Sequence, residues 1–215
     1  REAVAILAFD TANATADLAR GVLDTTPQSH ALGTRLIGVG EWLASEGAER
    51  APGESVFVGA IPRTSTDQGD PTLAINGQPI VLAGRQALPY APGRIRLNGQ
   101  TEPALVAGDL TVAWAHRDRT QQTAYLVQQG EGDIGPELGV TYTVRICNRN
   151  GALAHTESGL IGTSFVWTAA VAAPEAGALG DRITVEISAE RDGLSSWQPQ
   201  ARVMDRTGYG LRWGQ

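Results

Sequence analysis

The chain has 215 residues, 42% hydrophobic and 19% charged, enough for one large all-β domain or two small ones and unlike a disordered chain. A formal net charge of −6 with no basic cluster argues against a nucleic-acid or anionic-membrane binder. Twenty-six glycines and 11 prolines suit many turns between short strands better than helices.

All 17 basic residues are arginine, which reads as a GC-rich coding bias rather than a mechanism. The single cysteine, Cys147, cannot form an internal disulfide, and no histidine is spaced to activate it, so its expected role is structural. No signal peptide and no apolar run near 18 residues are present, so no membrane insertion is expected. A start on Arg1 without an initiator Met, and a stop at Gln215 just past an aromatic cluster, suggest a piece of a longer protein.

In chain order, Ala3–Phe9 (AVAILAF) is an apolar run that reads as a strand or the start of a helix. Asp10–Leu23 reads as a turn or short helix, then an extended piece. Gly21, Pro27 and Gly33 punctuate a tight loop before a strand over Leu36–Leu43. After the polar turn Ser45–Gly53, Glu54–Pro62 reads as a second strand that makes a long-looped hairpin with the first. A polar loop over Thr64–Pro71 and a short closing strand over Ile80–Ala83 complete a β-rich module spanning residues 1–86.

Pro89 and Pro92, flanking Tyr90, favour extended backbone, so residues 87–92 are expected to be a short stiff linker. A second module follows over 93–206. Gly93–Asn98 is its first strand, with Ile95 and Leu97 inward. In Leu110–Arg119 (LTVAWAHRDR), Leu110, Val112 and Trp114 alternate with Thr111, Ala113 and Ala115, the period-two pattern of a strand with one buried face. Thr120–Pro136 reads as a protruding loop or irregular edge. Tyr142, Val144 and Ile146 then alternate with Thr143, Arg145 and Cys147, and Ile183, Val185 and Ile187 with Thr184, Glu186 and Ser188. None of these strands can bury its apolar face alone, so two packed antiparallel sheets are expected, with Trp114, Tyr142, Val144, Ile183 and Val185 in the core. Between the last two lie a turn at Asn150-Gly151, a short strand over Leu153–Glu157, a strand over Thr163–Ala172 with Phe165 and Trp167 in phase, and a turn over Pro174–Gly180. Ala201–Met204 closes the sandwich, and residues 207–215 form a glycine-rich tail carrying Tyr209 and Trp213.

Catalytic and metal-binding chemistry has little to stand on. His30 lies beside Ser29 in a loop without an orienting acid, and a structural hydrogen bond is expected of it. His116 and Asp118 are two potential metal ligands without a third, and a strand end with charges on the solvent face is the expectation there. His155 stands alone in a short strand. Glu131, Asp133 and Glu137 form the best acidic cluster, but the spacing is not that of an EF-hand and a solvated loop is expected. No phosphate-binding glycine loop and no paired-carboxylate motif are visible. The expectation is therefore no enzyme, no cofactor and no metal. Tyr209 and Trp213 either pack back on the sandwich base or contact a neighbour, since aromatics are enriched at interfaces.

Two resemblances add to this reading. The Trp of LTVAWAHRD, the Tyr opening YTVRI and the strand-turn-strand ITVEISAERDGLSSWQ resemble the fibronectin type III family, with Ile183 where that family usually carries a Tyr. The resemblance implies an immunoglobulin-like β-sandwich, a fold that hosts many functions. Arg20-Gly21, Asp24-Thr25, His30 and Gly33 resemble an RG…GT…H…G stretch of bacteriophage tail-tip or hub proteins, the host-specificity group also found in gene transfer agents. Asp24 stands where a Gly is common. APGESVFVGAIPRTSTDQGDP with IVLAGRQALPYAPGRIRLNG, then LTVAWAHRDR, resembles the module-to-module passage of the same group. That resemblance implies a structural role in the virion, extracellular after release. Its implied partners are the chain itself as a homotrimer, other phage tail proteins and a host cell-surface receptor, with no nucleic acid. An alternative from another class is an accessory carbohydrate-binding or spacer module of a secreted enzyme or adhesin, with Trp197 or Trp213 as a stacking platform.

Overall fold

The computed structural model describes residues 1–38, 48, 50–59, 61, 64–70, 77–102, 105–106, 108–121, 126–168 and 182–206. The fold is all-β, and the chain divides into two compact units, one made of residues 1–30 and 88–215 and the other of 31–87.

In the larger unit, the expected sandwich forms from two sheets. One sheet has the order β10-β7-β5, built from Ser164–Trp167 (β10), Leu110–Ala115 (β7) and Gly93–Leu97 (β5). The other runs β6-β13-β11-β8-β9, from Leu105–Val106 (β6), Gln200–Arg206 (β13), Arg182–Arg191 (β11), Thr141–Asn148 (β8) and Leu153–Leu160 (β9). Leu194–Ser195 (β12) turns back to pair with the end of β11. Every pairing is antiparallel except the short β6–β13 contact.

The period-two reading holds residue by residue. Leu110, Val112 and Trp114 from one sheet meet Tyr142, Val144, Ile146, Ile183, Val185 and Ile187 from the other in one buried cluster. All of these are at most 4% exposed. The Trp114 and Tyr142 rings meet edge to face, 5.5 Å between centroids and 61° between planes, a geometry that adds to simple area burial.

The larger unit also contains a hairpin, Val4–Asp10 (β1) with Thr15–Arg20 (β2), joined by a turn in which Asp10 Oδ1 accepts the backbone N–H of Ala12 and Asn13. A strand over Ala3–Phe9 and an extended piece after a turn, both among the sequence expectations, are thus what forms.

Four expectations are corrected. First, residues 1–86 are not one module: a unit does end at Ala87, but it begins at Ala31, and residues 1–30 belong to the unit of the sandwich. Second, residues 88–92 are part of the packed body rather than a linker: Pro89, Ala91 and Pro92 are buried. Third, the loop over 120–136 does not simply protrude, since Val127 and Gln129 are only 3% and 2% exposed. Fourth, the strand expected over Glu54–Pro62 is shorter, Ser55–Val58 (β3), and its partner among the described residues is Gln78–Val81 (β4). Residues 36–38 are not strand, and 39–43 lie outside the described residues. In the smaller unit, residues 31–87, Phe57, Val58, Ile80 and Val81 are exposed, so among the described residues its hairpin has no sealed core of the sandwich's kind. The outward phase of Cys147 is as expected, although the residue is buried there. Residues 169–181 and the tail with Tyr209 and Trp213 lie outside the described residues.

Candidate functional site

The most elaborate polar construction is the joint that fastens residues 1–30 to the sandwich. It starts from Glu2, whose side chain is fully sheltered. One carboxylate accepts from Arg20 Nε at 2.9 Å and Nη2 at 2.5 Å, from the backbone N–H of Gly21 at 3.0 Å and of Gln28 at 2.9 Å, and it meets His30 Nε2 at 2.7 Å. Burial alone would raise this carboxyl, but the hydrogen bonds from Arg20, Gln28, His30 and Gly21 outweigh it and hold the pKa at about 2. Arg20, Gly21 and His30, scattered in sequence, therefore serve one acceptor. Thr25 closes the same base: its Oγ1 accepts from Ala3 N at 3.0 Å and donates to Val22 O at 2.8 Å.

Gly21 sits at φ +59°, where a side chain is strained, and a Cβ there would stand 2.6 Å from Pro27 Cδ and 2.9 Å from Gln129 Cβ. The glycine thus permits the close approach of three chain segments.

Gln129 carries the connection to the sandwich. Its N–H donates to Arg20 O at 2.9 Å, its carbonyl accepts from Arg94 N at 2.8 Å, and its Nε2 donates to Pro92 O at 2.6 Å. From the far side, Gln198 Oε1 accepts from Thr26 N at 3.0 Å, and Gln198 Nε2 donates to Arg1 O at 3.2 Å.

Between these lies Arg117, only 3% exposed. Its Nη2 donates to Leu23 O at 2.8 Å, and its guanidinium stands 5.3 Å from the Tyr90 ring centroid. Among the described residues, Nε and Nη1 have no hydrogen-bond partner. Burial pulls the Arg117 pKa down to about 10, against the attraction of Tyr90 and Asp24. Gly93 leaves room for this side chain: a Cβ there would lie 2.7 Å from Gln129 O and 3.2 Å from Arg117 Cδ.

The remaining candidates do not assemble a reaction centre. His30 has the structural hydrogen bond expected of it, to Glu2. His116 and Asp118 part company: His116 Nδ1 meets Tyr142 Oη at 2.7 Å, while Asp118 accepts from Thr120 N, Thr120 Oγ1 and Gln121 Nε2. Arg117 and Asp118 are both buried, so the expected solvent-facing charges are corrected at these two positions. Main-chain groups and the Tyr90 ring receive the first, and the turn receives the second.

The acidic cluster also separates. Asp133 accepts the backbone N–H of His116, whereas Glu137 is buried between Arg119 Nε at 2.8 Å and the Arg191 guanidinium, not in a solvated loop. His155 stacks on Phe165, 5.7 Å between ring centroids. Among the described residues no three His, Cys, Asp or Glu side chains converge as metal ligands, and no helix is long and apolar enough to cross a membrane.

Sequence reading missed Glu2, Arg117 and Gln129 as organisers. Glu2 and Gln129 are common polar residues without a motif. Arg117 was visible only as a charge after a strand. Their partners lie up to 94 residues away, a separation that no local pattern encodes. No protein-family model matches the chain, and no curated protein matches it.

Proposed function

We propose that this chain is a structural, non-enzymatic part of a bacteriophage tail tip or hub, assembling as a homotrimer with other tail proteins and positioning the contact with a host receptor. The observation that supports this most is the Glu2 joint. Three of the residues that carry the resemblance to tail-hub proteins, Arg20, Gly21 and His30, meet at one carboxylate, and Thr25 closes the same base. Their chemistry there is mechanical. Multiple hydrogen bonds to a sheltered charge fix the angle at which the N-terminal hairpin leaves the sandwich. A spacer that transmits position needs such a joint; a catalyst would need a nucleophile, a base and a cleft. The test is immunogold labelling of particles from the source organism. Label at the distal tail is expected, and label elsewhere or on no particle overturns the reading. For the tail residues Tyr209 and Trp213, deletion of 207–215 is expected to weaken assembly; unchanged assembly removes them from the interface.

A second reading, a carbohydrate-binding module, is favoured by one feature. The outer face of the larger sheet holds a groove of about 260 Å³ lined by Thr143, Arg145, Glu186, Ser188, Glu190 and Ser196, with Pro199 as its apolar member. Hydroxyls and carboxylates grouped in this way suit a polyol. Specific binding of the isolated chain on a glycan array would favour this module over the tail reading.

A further inference from the structure

The hairpin β1–β2 hides a second property in its register. Ile6 pairs with Leu18, but Ala8 pairs with Asp17, so Leu7 is an extra residue at a bulge. The shift rephases the strand. Val4, Ile6 and Phe9 come to share a face with Ala16, Leu18 and, at its base, the Glu2-paired Arg20, while Ala5, Ala8 and Asp10 share the other with Thr15, Asp17 and Ala19. Without the bulge, Phe9 would stand on the face opposite Ile6.

The apolar face is open: Ile6 is 47%, Phe9 71% and Leu18 42% exposed, and Leu7 at the bulge is 65% exposed. The opposite face presents Asp10 and Asp17 near the tip, both exposed and neither in an ion pair among the described residues. Among those residues β1 pairs with β2 alone, so its other edge has free main-chain donors and acceptors. From Ala3 to Phe9 that edge carries no charge, proline or glycine, the devices that ordinarily blunt an exposed strand. A two-stranded hairpin with one apolar and one acidic face is an incomplete sheet.

We propose that the free edge of β1 accepts an added strand from a partner protein, an extended segment alternating apolar residues with Lys or Arg. The apolar side chains extend the Val4–Ile6–Phe9 face, the basic ones meet Asp10 and Asp17, and the main chain completes the ladder. A second copy of this chain fits less well. Parallel self-pairing of β1 in register sets Asp10 beside Asp10, and antiparallel self-pairing brings no basic side chain to Asp10 or Asp17, since Val4–Asp10 holds neither Lys nor Arg. This inference stands on the hairpin alone and not on the tail reading.

The test uses the whole 215-residue chain with a short peptide alternating valine and lysine, a matched peptide alternating valine and glutamate, and an N-methylated version of the first. The lysine peptide is expected to bind, to slow amide exchange across β1 and to lose affinity with added salt. The double substitution Asp10→Asn/Asp17→Asn is expected to weaken that binding about tenfold. Because both positions are exposed, unchanged circular dichroism of the variant separates lost binding from lost fold. The glutamate and N-methylated peptides are expected not to bind. Equal binding of the lysine and glutamate peptides, no slowing of β1 exchange, or concentration-dependent self-association that Phe9→Ser abolishes would each overturn the proposal.

Discussion

Two strands of this protein are almost equally apolar in sequence and end in opposite surroundings. β7 (Leu110–Ala115) has its apolar phase sealed to between 0% and 4% exposure, with a facing sheet to receive it. β1 (Val4–Asp10) leaves Ile6, Leu7 and Phe9 about half exposed or more, and only β2 pairs with it among the described residues. Hydrophobicity alone therefore does not decide burial. What decides it is whether a second apolar layer stands about 10 Å away, as packed sheets require. The β7 face holds the fold together, and the β1 face is left over after folding is complete.

The largest expected effect is at the sealed end of this comparison. Trp114→Ala should cost about 3–5 kcal/mol in a denaturant melt, because it opens a cavity between the sheets. Next comes the joint that anchors the open hairpin. Gly21→Ala, which meets Pro27 and Gln129 at φ +59°, should destabilise by about 1–3 kcal/mol, read as loss of amide protection in residues 1–30 before the sandwich melts. Glu2→Gln should cost about 1–3 kcal/mol at neutral pH. The sign with pH follows from the depressed carboxyl. Its contribution is complete above the unfolded value near 4.3 and is lost as pH falls through about 2, so wild type and Glu2→Gln should converge in stability at the acid end of a pH series.

Trp114→Phe should cost only about 1–2 kcal/mol, because the indole Nε1 is buried without a hydrogen-bond partner and its removal relieves that deficit while some volume is lost. The smallest effect should be Phe9→Ser, within about 0.5 kcal/mol. A large loss there would mean that the exposed hairpin face contributes to the monomer's stability, and the contrast with β7 would fail.

Much of the sandwich was legible before the structure. Alternation with period two assigns the buried phases of β5, β7, β8 and β11 correctly, since successive side chains point to opposite faces of a strand whatever surrounds it. The same rule applied to Val56, Phe57 and Val58 finds a strand, but the burial it implies is not there, because no facing layer covers it among the described residues. The Pro89–Pro92 segment reads as an extended linker, but extended backbone is as compatible with packing as with a tether, and Pro89, Ala91 and Pro92 are buried. At the joint, Gly21 was visible as punctuation, whereas the carboxylate it donates to was not, being 19 residues away and without a motif.

Amino-acid order by itself determined an all-β chain and the inward phase of β5, β7, β8 and β11. These depend on local backbone geometry and on the alternation of apolar and polar side chains. Only the tertiary structure decided that residues 1–30 join the sandwich, that Arg117 is buried against main-chain carbonyls and an aromatic ring, and that a bulge at Leu7 aligns Phe9 with Ile6. Each of those outcomes turns on which distant groups satisfy a backbone donor, a carbonyl or a charge, and that choice is made when the layers pack.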